Sequence, residues 1–154
     1  MPLLQPVDES YFEHAPQRFT RTWAIAQPAE KVWSELTSEE PLHWVRGLRL
    51  RWTSPKPFGV GTTRQGKSMG AMTINEYFFI WEEGRRYAFY CTDINVPLFK
   101  AFAEDYVVEP EGPDKCRFTW CIAMTPSLLG RPGAPLNKMM ANRTFDETGR
   151  YFKA

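Results

Sequence analysis

Cysteine and histidine are both scarce in this sequence. The three cysteines, Cys91, Cys116 and Cys121, are odd in number and show no CxxC spacing, which argues against a disulfide framework and against a zinc site. Cys116 and Cys121 are five positions apart and would face opposite sides of one strand. The two histidines, His14 and His43, stand alone, so no Ser/His/Asp or Cys/His arrangement can be built on them. His43 sits beside Trp44, where a helix-surface imidazole is ordinarily solvated. HExxH, a phosphate-binding loop and GxGxxG are all missing, and neither a metal nor a cofactor is expected. Long apolar runs are missing too. No run is longer than "YFFIW", far short of a membrane span, so no membrane insertion is expected. The N-terminus lacks the basic-then-apolar pattern of a signal peptide, which makes the cytoplasm the expected location. Finally, no sign of charge dominates. With 19 basic and 18 acidic residues the formal net charge is +1, which gives no electrostatic reason to expect nucleic acid or an anionic membrane as partner.

What the chain does have is aromatic mass: eleven Phe and six Trp in 154 residues, enough for one well-filled domain with side chains to spare for a cavity wall. Residues 1–16, with three prolines and little periodicity, read as a tail with one helical turn at "DESYFEH"; residues 17–154 read as a single domain. "RFTRTWAIA" alternates as a first strand, with Phe19, Trp23 and Ile25 on one face. Pro28 then opens a short helix in which Val32, Trp33 and Leu36 share a face. "TSEEPLHWVRGL" offers a second short helix, capped by Thr37 or Ser38 and ended by Gly47. About six strands follow, joined by tight turns such as "EEGRR" and "EGPD", and the pattern is that of a meandering antiparallel sheet. After the break "PSLLGRPGAP" comes a last, longer helix. A sheet of this size has to bury one face, and only that helix is long enough to cover it.

The succession "AQPAEKVWSELTSEEPLHW", "GVGTTR", "EEGRRYAFY" and "AEDYVVEPEGPDKCRFTW", over residues 18–152, resembles the START-related, birch-pollen-allergen-like (SRPBCC) superfamily, and within it the polyketide cyclase/dehydrase-like group. The resemblance implies an α+β helix-grip fold: a curved seven-stranded antiparallel sheet around a long C-terminal helix, with a deep hydrophobic cavity between them. The superfamily holds lipid carriers, hormone receptors and aromatase/cyclases, so the fold alone does not assign a role. Two features depart from the pattern. The N-terminal tail is long, and the last helix has few large aliphatics. Its stripe of Ala141, Phe145, Thr148 and Phe152, bordered by Asn137, Met140 and Thr144, suits either a wall facing a partly polar cavity or a short, marginal helix.

Candidate chemistry lies on the strands. Glu76 shares a face with Ile74, Phe78 and Ile80, and Glu104 shares one with Phe102, Tyr106 and Val108. A Glu on an apolar face must be paired, protonated or near water. Either could orient a ligand or act as an acid or base, or else form an internal salt bridge, for which Arg64 is the natural partner. Tyr90 and Tyr106 add hydroxyls. The candidate ligand-binding set is Trp23, Trp44, Arg64, Glu76, Phe78, Tyr90, Glu104, Tyr106, Met140 and Phe145. The loop 93–99 is read as a cover for the cavity mouth, a plug for the core end, or the contact of a homodimer. The expected function is binding of a small hydrophobic or amphipathic molecule, with a cyclase/dehydratase-type enzyme and a ligand-free interaction domain as alternatives.

Overall fold

Alternation of apolar and polar residues sets most of the architecture. A computed structural model describes residues 3–154, and the first two residues of the expected tail lie outside it. Seven strands form one antiparallel sheet in the order β1-β7-β6-β5-β4-β3-β2. They are β1 (Gln17–Ile25), β2 (Leu48–Trp52), β3 (Thr63–Ser68), β4 (Met72–Glu82), β5 (Arg86–Ile94), β6 (Phe99–Pro110) and β7 (Cys116–Pro126). Strands β2 to β7 are a meander, and β1 pairs with β7 at the far edge. Helix α1 (Tyr11–His14) precedes β1, α2 (Ala29–Leu36) follows it, and α3 (Ala134–Phe152) crosses the concave face. This is the helix-grip arrangement.

Register shifts bend the sheet at two places in the β4–β5 pair, between Asn75 and Glu76 and between Phe78 and Ile80. The second corrects the face assigned to Ile80. The irregularity at Phe79 reverses the alternation, so Trp81 rather than Ile80 packs inward against Phe78, Tyr87 and Trp33.

Helix α2 closes one end of the curved sheet. Val32, Trp33 and Leu36 are buried. The Trp33 ring packs on Trp81 and Tyr87, its Nε1–H donates to Glu83, and Tyr87 donates its hydroxyl proton to the Leu36 carbonyl. The second short helix expected over residues 37–47 is instead a run of turns. Pro41 disfavours helical geometry at Glu40, and Leu42 takes a φ of 57°, so no helix can run through this point.

The N-terminal segment fills a gap in the sheet. Pairing between β5 and β6 stops at Tyr90–Ala103, and beyond it the Leu4 N–H donates to Thr92 and the Gln5 N–H to Lys100. Leu4 itself is buried in the core. The three cysteines are free and buried.

Trp33 carries the junction of helix and sheet. Trp33→Ala should lower the unfolding free energy by about 3–5 kcal/mol, because the aromatic cage around it cannot collapse fully. Urea denaturation followed by circular dichroism measures this, and an unchanged midpoint would mean that the ring does not fill this junction.

Candidate functional site

Helix α3 divides into two halves. Its C-terminal half is packed tight: Phe145, Thr148, Gly149 and Phe152 are buried against the sheet. Trp23 stacks on Phe118 and meets Phe145 edge-on, and its indole nitrogen lies 3.0 Å from where a Cβ at position 149 would sit, so only glycine lets helix and strand approach this closely. Trp44 stacks on Tyr151 and donates its indole N–H to the Thr148 hydroxyl, which itself donates to the Thr144 carbonyl. The N-terminal half stands off the sheet. Between Leu136, Asn137, Met140 and Thr144 on the helix and strands β2 to β7 lies a cavity of about 400 Å³ with predominantly apolar walls.

Besides Arg46, Ser68, Asn137, Arg143, Thr144 and Glu147, the cavity lining holds three buried charged groups on the strands. Arg64 on β3 is directly opposite Glu76 on β4, and its Nε–H donates to Glu76 Oε1 at 2.6 Å. The arginine side chain is wholly shielded from solvent. Its guanidinium carbon lies 5.0–5.8 Å from the ring centres of Trp52, Phe78, Tyr87 and Phe89, an aromatic box that stabilises the cation through the ring quadrupoles. Burial works against the Arg64 charge, but Glu76 together with Tyr87 and Tyr106 more than offsets it, and the guanidinium stays protonated. Burial likewise raises Glu76, with Arg64 pulling it back. The two terminal nitrogens of Arg64 have no hydrogen-bond partner among the described residues, and Arg64 lines the cavity. Gly66 keeps this corner open, because a Cβ there would come within 3.0 Å of Leu50.

Across the cavity Glu104 Oε1 accepts from Tyr106 and, at 2.9 Å, from the Trp120 indole. Burial pushes the Glu104 carboxyl up to about 7. The hydrogen bond from Tyr106 opposes the rise, and the neighbouring Glu76 charge adds to it. The site therefore holds a permanent cation with its counter-ion and a second carboxyl that titrates near neutrality.

Of the sequence candidates, Arg64, Glu76, Glu104, Tyr106 and Met140 line the cavity. Trp23, Trp44, Phe78 and Phe145 lie on the inner side but are spent on packing: Phe78 backs the guanidinium, and the other three hold the C-terminal half of α3. Tyr90 is on the convex face, against Tyr77 and Phe79, because alternation along β5 turns Tyr87, Phe89 and Cys91 inward and Tyr90 outward. Trp120 was missed, although Phe118, Trp120, Ile122 and Met124 mark the inward face of "KCRFTWCIAM". Among the described residues no cluster of metal-binding side chains occurs, and no helix is long and apolar enough to cross a membrane.

With this geometry in hand, comparison with known proteins assigns the class. The family described as polyketide cyclase/dehydrase and lipid transport matches residues 16–150, and the chain belongs to it. Uncharacterised proteins of Mycobacterium tuberculosis and Mycobacterium bovis are 34% identical over 153 residues, covering 94% of this chain and 90% of theirs. Among solved structures, a START superfamily protein from Mycobacterium smegmatis superposes with a TM-score of 0.69 at 14% identity, covering 86% of this chain and 92% of that one. The Zhui aromatase/cyclase from Streptomyces sp. R1128 gives 0.68 at 11% identity, covering 86% and 88%. At such identities these two structures establish the fold.

Two predictions follow from the buried charges. Arg64→Met strands the Glu76 carboxylate and should destabilise by about 3–5 kcal/mol, most of which the double variant with Glu76→Gln should recover, as read by denaturant unfolding. Glu104 binds its proton more tightly folded than unfolded. Stability should therefore fall as pH rises from about 4.5 towards about 7 and level off above, by about 3 kcal/mol. Glu104→Gln, which keeps the acceptor for Tyr106 and Trp120, should flatten that slope in thermal melts taken across the pH range.

Proposed function

We propose that the protein binds a small amphipathic molecule in the cavity between sheet and α3, with an apolar body along the walls and a hydrogen-bond acceptor at the Arg64 end. The observation that carries this reading is the apolar cavity itself, whose lining includes the charged residues Arg64, Glu76 and Glu104, with two Arg64 nitrogens that have no partner among the described residues. Orphaned buried donors are rare and costly, at about 1–3 kcal/mol for a neutral group and more for a charged one. A carbonyl, carboxylate or similar acceptor would satisfy them with charge-assisted bonds. A volume of about 400 Å³ fits a molecule of modest size and speaks against the ligand-free alternative.

A second reading has a specific observation behind it. Glu104 faces the same cavity with a pKa of about 7, where a carboxyl can both give and take a proton. With Arg64 stabilising an enolate oxygen, this is the equipment of a cyclase or dehydratase acting on a carbonyl compound. The named Zhui aromatase/cyclase has the same fold and lends this reading its reaction class by analogy.

Two apolar fluorophores of similar shape test the binding reading: anilinonaphthalene sulfonate, which carries an anionic acceptor, and the uncharged phenylnaphthylamine. Both should bind with roughly micromolar affinity, about −8 kcal/mol. The sulfonate should bind about tenfold tighter, by the strength of one charged hydrogen bond. Met140→Trp, which fills the cavity from α3, should weaken both by tenfold or more. Binding untouched by this substitution would place the probes elsewhere and end the proposal. Glu76→Gln should shift preference modestly, whereas Glu104→Gln should cost about a hundredfold in turnover only if a reaction is catalysed.

A further inference from the structure

One seam of the sheet is incomplete. Strands β5 and β6 pair only from Arg86–Val107 to Tyr90–Ala103. Beyond that point residues 91–94 and 99–102 run on without pairing to each other. Each strand carries an irregularity there. On β5, Asp93 is opposite Asn75 and Cys91 is opposite Glu76, so Thr92 has no partner on β4. On β6, Phe99 is opposite Pro126 and Ala101 is opposite Thr125, so Lys100 has none on β7. Bulges of this kind bend a strand and end a pairing, and here they leave a slot between the two strands.

Residues 3–5 fill the slot. The two bulged residues, Thr92 and Lys100, are the ones whose carbonyls accept from the Leu4 and Gln5 N–H groups. Successive N–H groups of an extended chain point to opposite sides, so the segment lies between β5 and β6 as a very short strand. Its side chains alternate too. Leu3, opposite Asp93, is 85% exposed, Leu4 is 7% exposed and turned into the core, and Gln5 is exposed. The hold is slight: two backbone bonds and one apolar side chain. Further along, the anchors are firmer. Glu9 pairs with Arg86 at 2.9 Å, the Tyr11 hydroxyl bonds Thr125, Phe12 stacks on Phe79, and Ala15 is buried. Between the two parts, residues 6–8 make no hydrogen bond to the sheet among the described residues.

We propose that residues 3–5 are a releasable plug and that the slot beneath them is a lateral passage into the cavity, opened when residues 6–8 hinge while α1 stays in place. The slot borders the cavity, because Phe99 and Phe102 on its β6 side are part of the cavity wall. A segment with so few contacts opens locally at far lower cost than the strands around it. The anchored α1 keeps the freed plug close, so it returns to the same slot. The bulges have already parted β5 and β6, so a ligand can pass between them with every strand pair of the sheet intact. The passage rests on the binding function proposed above, whereas the opening of the plug does not.

Two measurements test this, and the first needs no ligand. Amide exchange followed by NMR should find the Leu4 and Gln5 N–H groups exchanging about a hundredfold faster than the amides paired in the middle of β5 and β6. Exchange as slow as in those strands overturns the proposal. The second uses Leu3→Cys with Asp93→Cys, two thiols at directly paired positions that tie the plug to β5 when oxidised. Non-reducing mass spectrometry confirms the bond. The oxidised variant should take up and release phenylnaphthylamine about tenfold more slowly than the same protein after reduction, with its equilibrium affinity unchanged. Comparing two states of one variant removes any effect of the substitutions on folding. In the opposite direction Leu4→Ser should speed both steps about tenfold, from the lost burial of the side chain, with the circular dichroism of the parent. Equal rates in the oxidised and reduced forms overturn the passage, since the ligand then enters elsewhere. A parent that binds neither fluorophore is a different failure. It removes the binding function and the passage with it, and amide exchange then decides the plug.

Discussion

The buried pair of Arg64 and Glu76 is the constraint around which the cavity end of this domain is arranged. A guanidinium out of water is tolerable only with a close counter-charge and further stabilisation. Here the counter-charge sits directly opposite on the neighbouring strand, and four aromatic rings surround the cation. Those rings come from three different strands, β2, β4 and β5, so satisfying the charge also fixes how the strands curl together. The abundance of Phe, Trp and Tyr in the sequence thus has a second purpose beside bulk, since several of these rings hold a charge that a purely aliphatic core would expel.

The division of α3 follows from the same economy of space. Its C-terminal half reaches the sheet through Gly149 and Thr148, small residues that admit Trp23 and Trp44. Its N-terminal half touches β1 through the Asn137 amide, which donates to Gln17, and otherwise leaves room between Met140, Thr144 and the sheet. One half provides the hydrophobic grip that stabilises the domain. The other provides the cavity at the cost of packing, and there the polar groups Arg64, Glu76 and Glu104 converge. The stripe of mixed small and polar residues on this helix is therefore neither marginal nor uniform. Its residues change role along the axis.

Particular residues show how far the sequence could be read. The inward positions of Glu76, Glu104 and Tyr106 were legible because alternation is a property of neighbouring residues, and the Arg64 partnership was legible as a need for a cation near an inward carboxylate. Tyr90 does not belong with them: it stands among the sequence candidates, yet alternation from Tyr87 puts it outside. Ile80 was not, because one irregularity at Phe79 reverses the faces and nothing local marks it. The segment 37–47 has the local signature of a helix, an acidic first turn after a Thr37 cap, but Pro41 and the left-handed Leu42 break it into turns. Trp44 and Trp23 were rightly placed inside, but a side chain that packs and one that lines a cavity look the same in a sequence.

The sequence by itself determined the order of elements, the meander of strands, the long closing helix, the membership of the family and which strand residues face inward. Each of these rests on local periodicity, on turn chemistry or on the succession of motifs, all of which are written in neighbouring residues. Only the tertiary structure decided which inward residues meet. The curl of the sheet brings Arg64 among rings distant in sequence, and the close approach at Gly149 sets where the helix grips and where it stands away. Long-range contacts depend on the summed geometry of many residues, and no short stretch carries that sum.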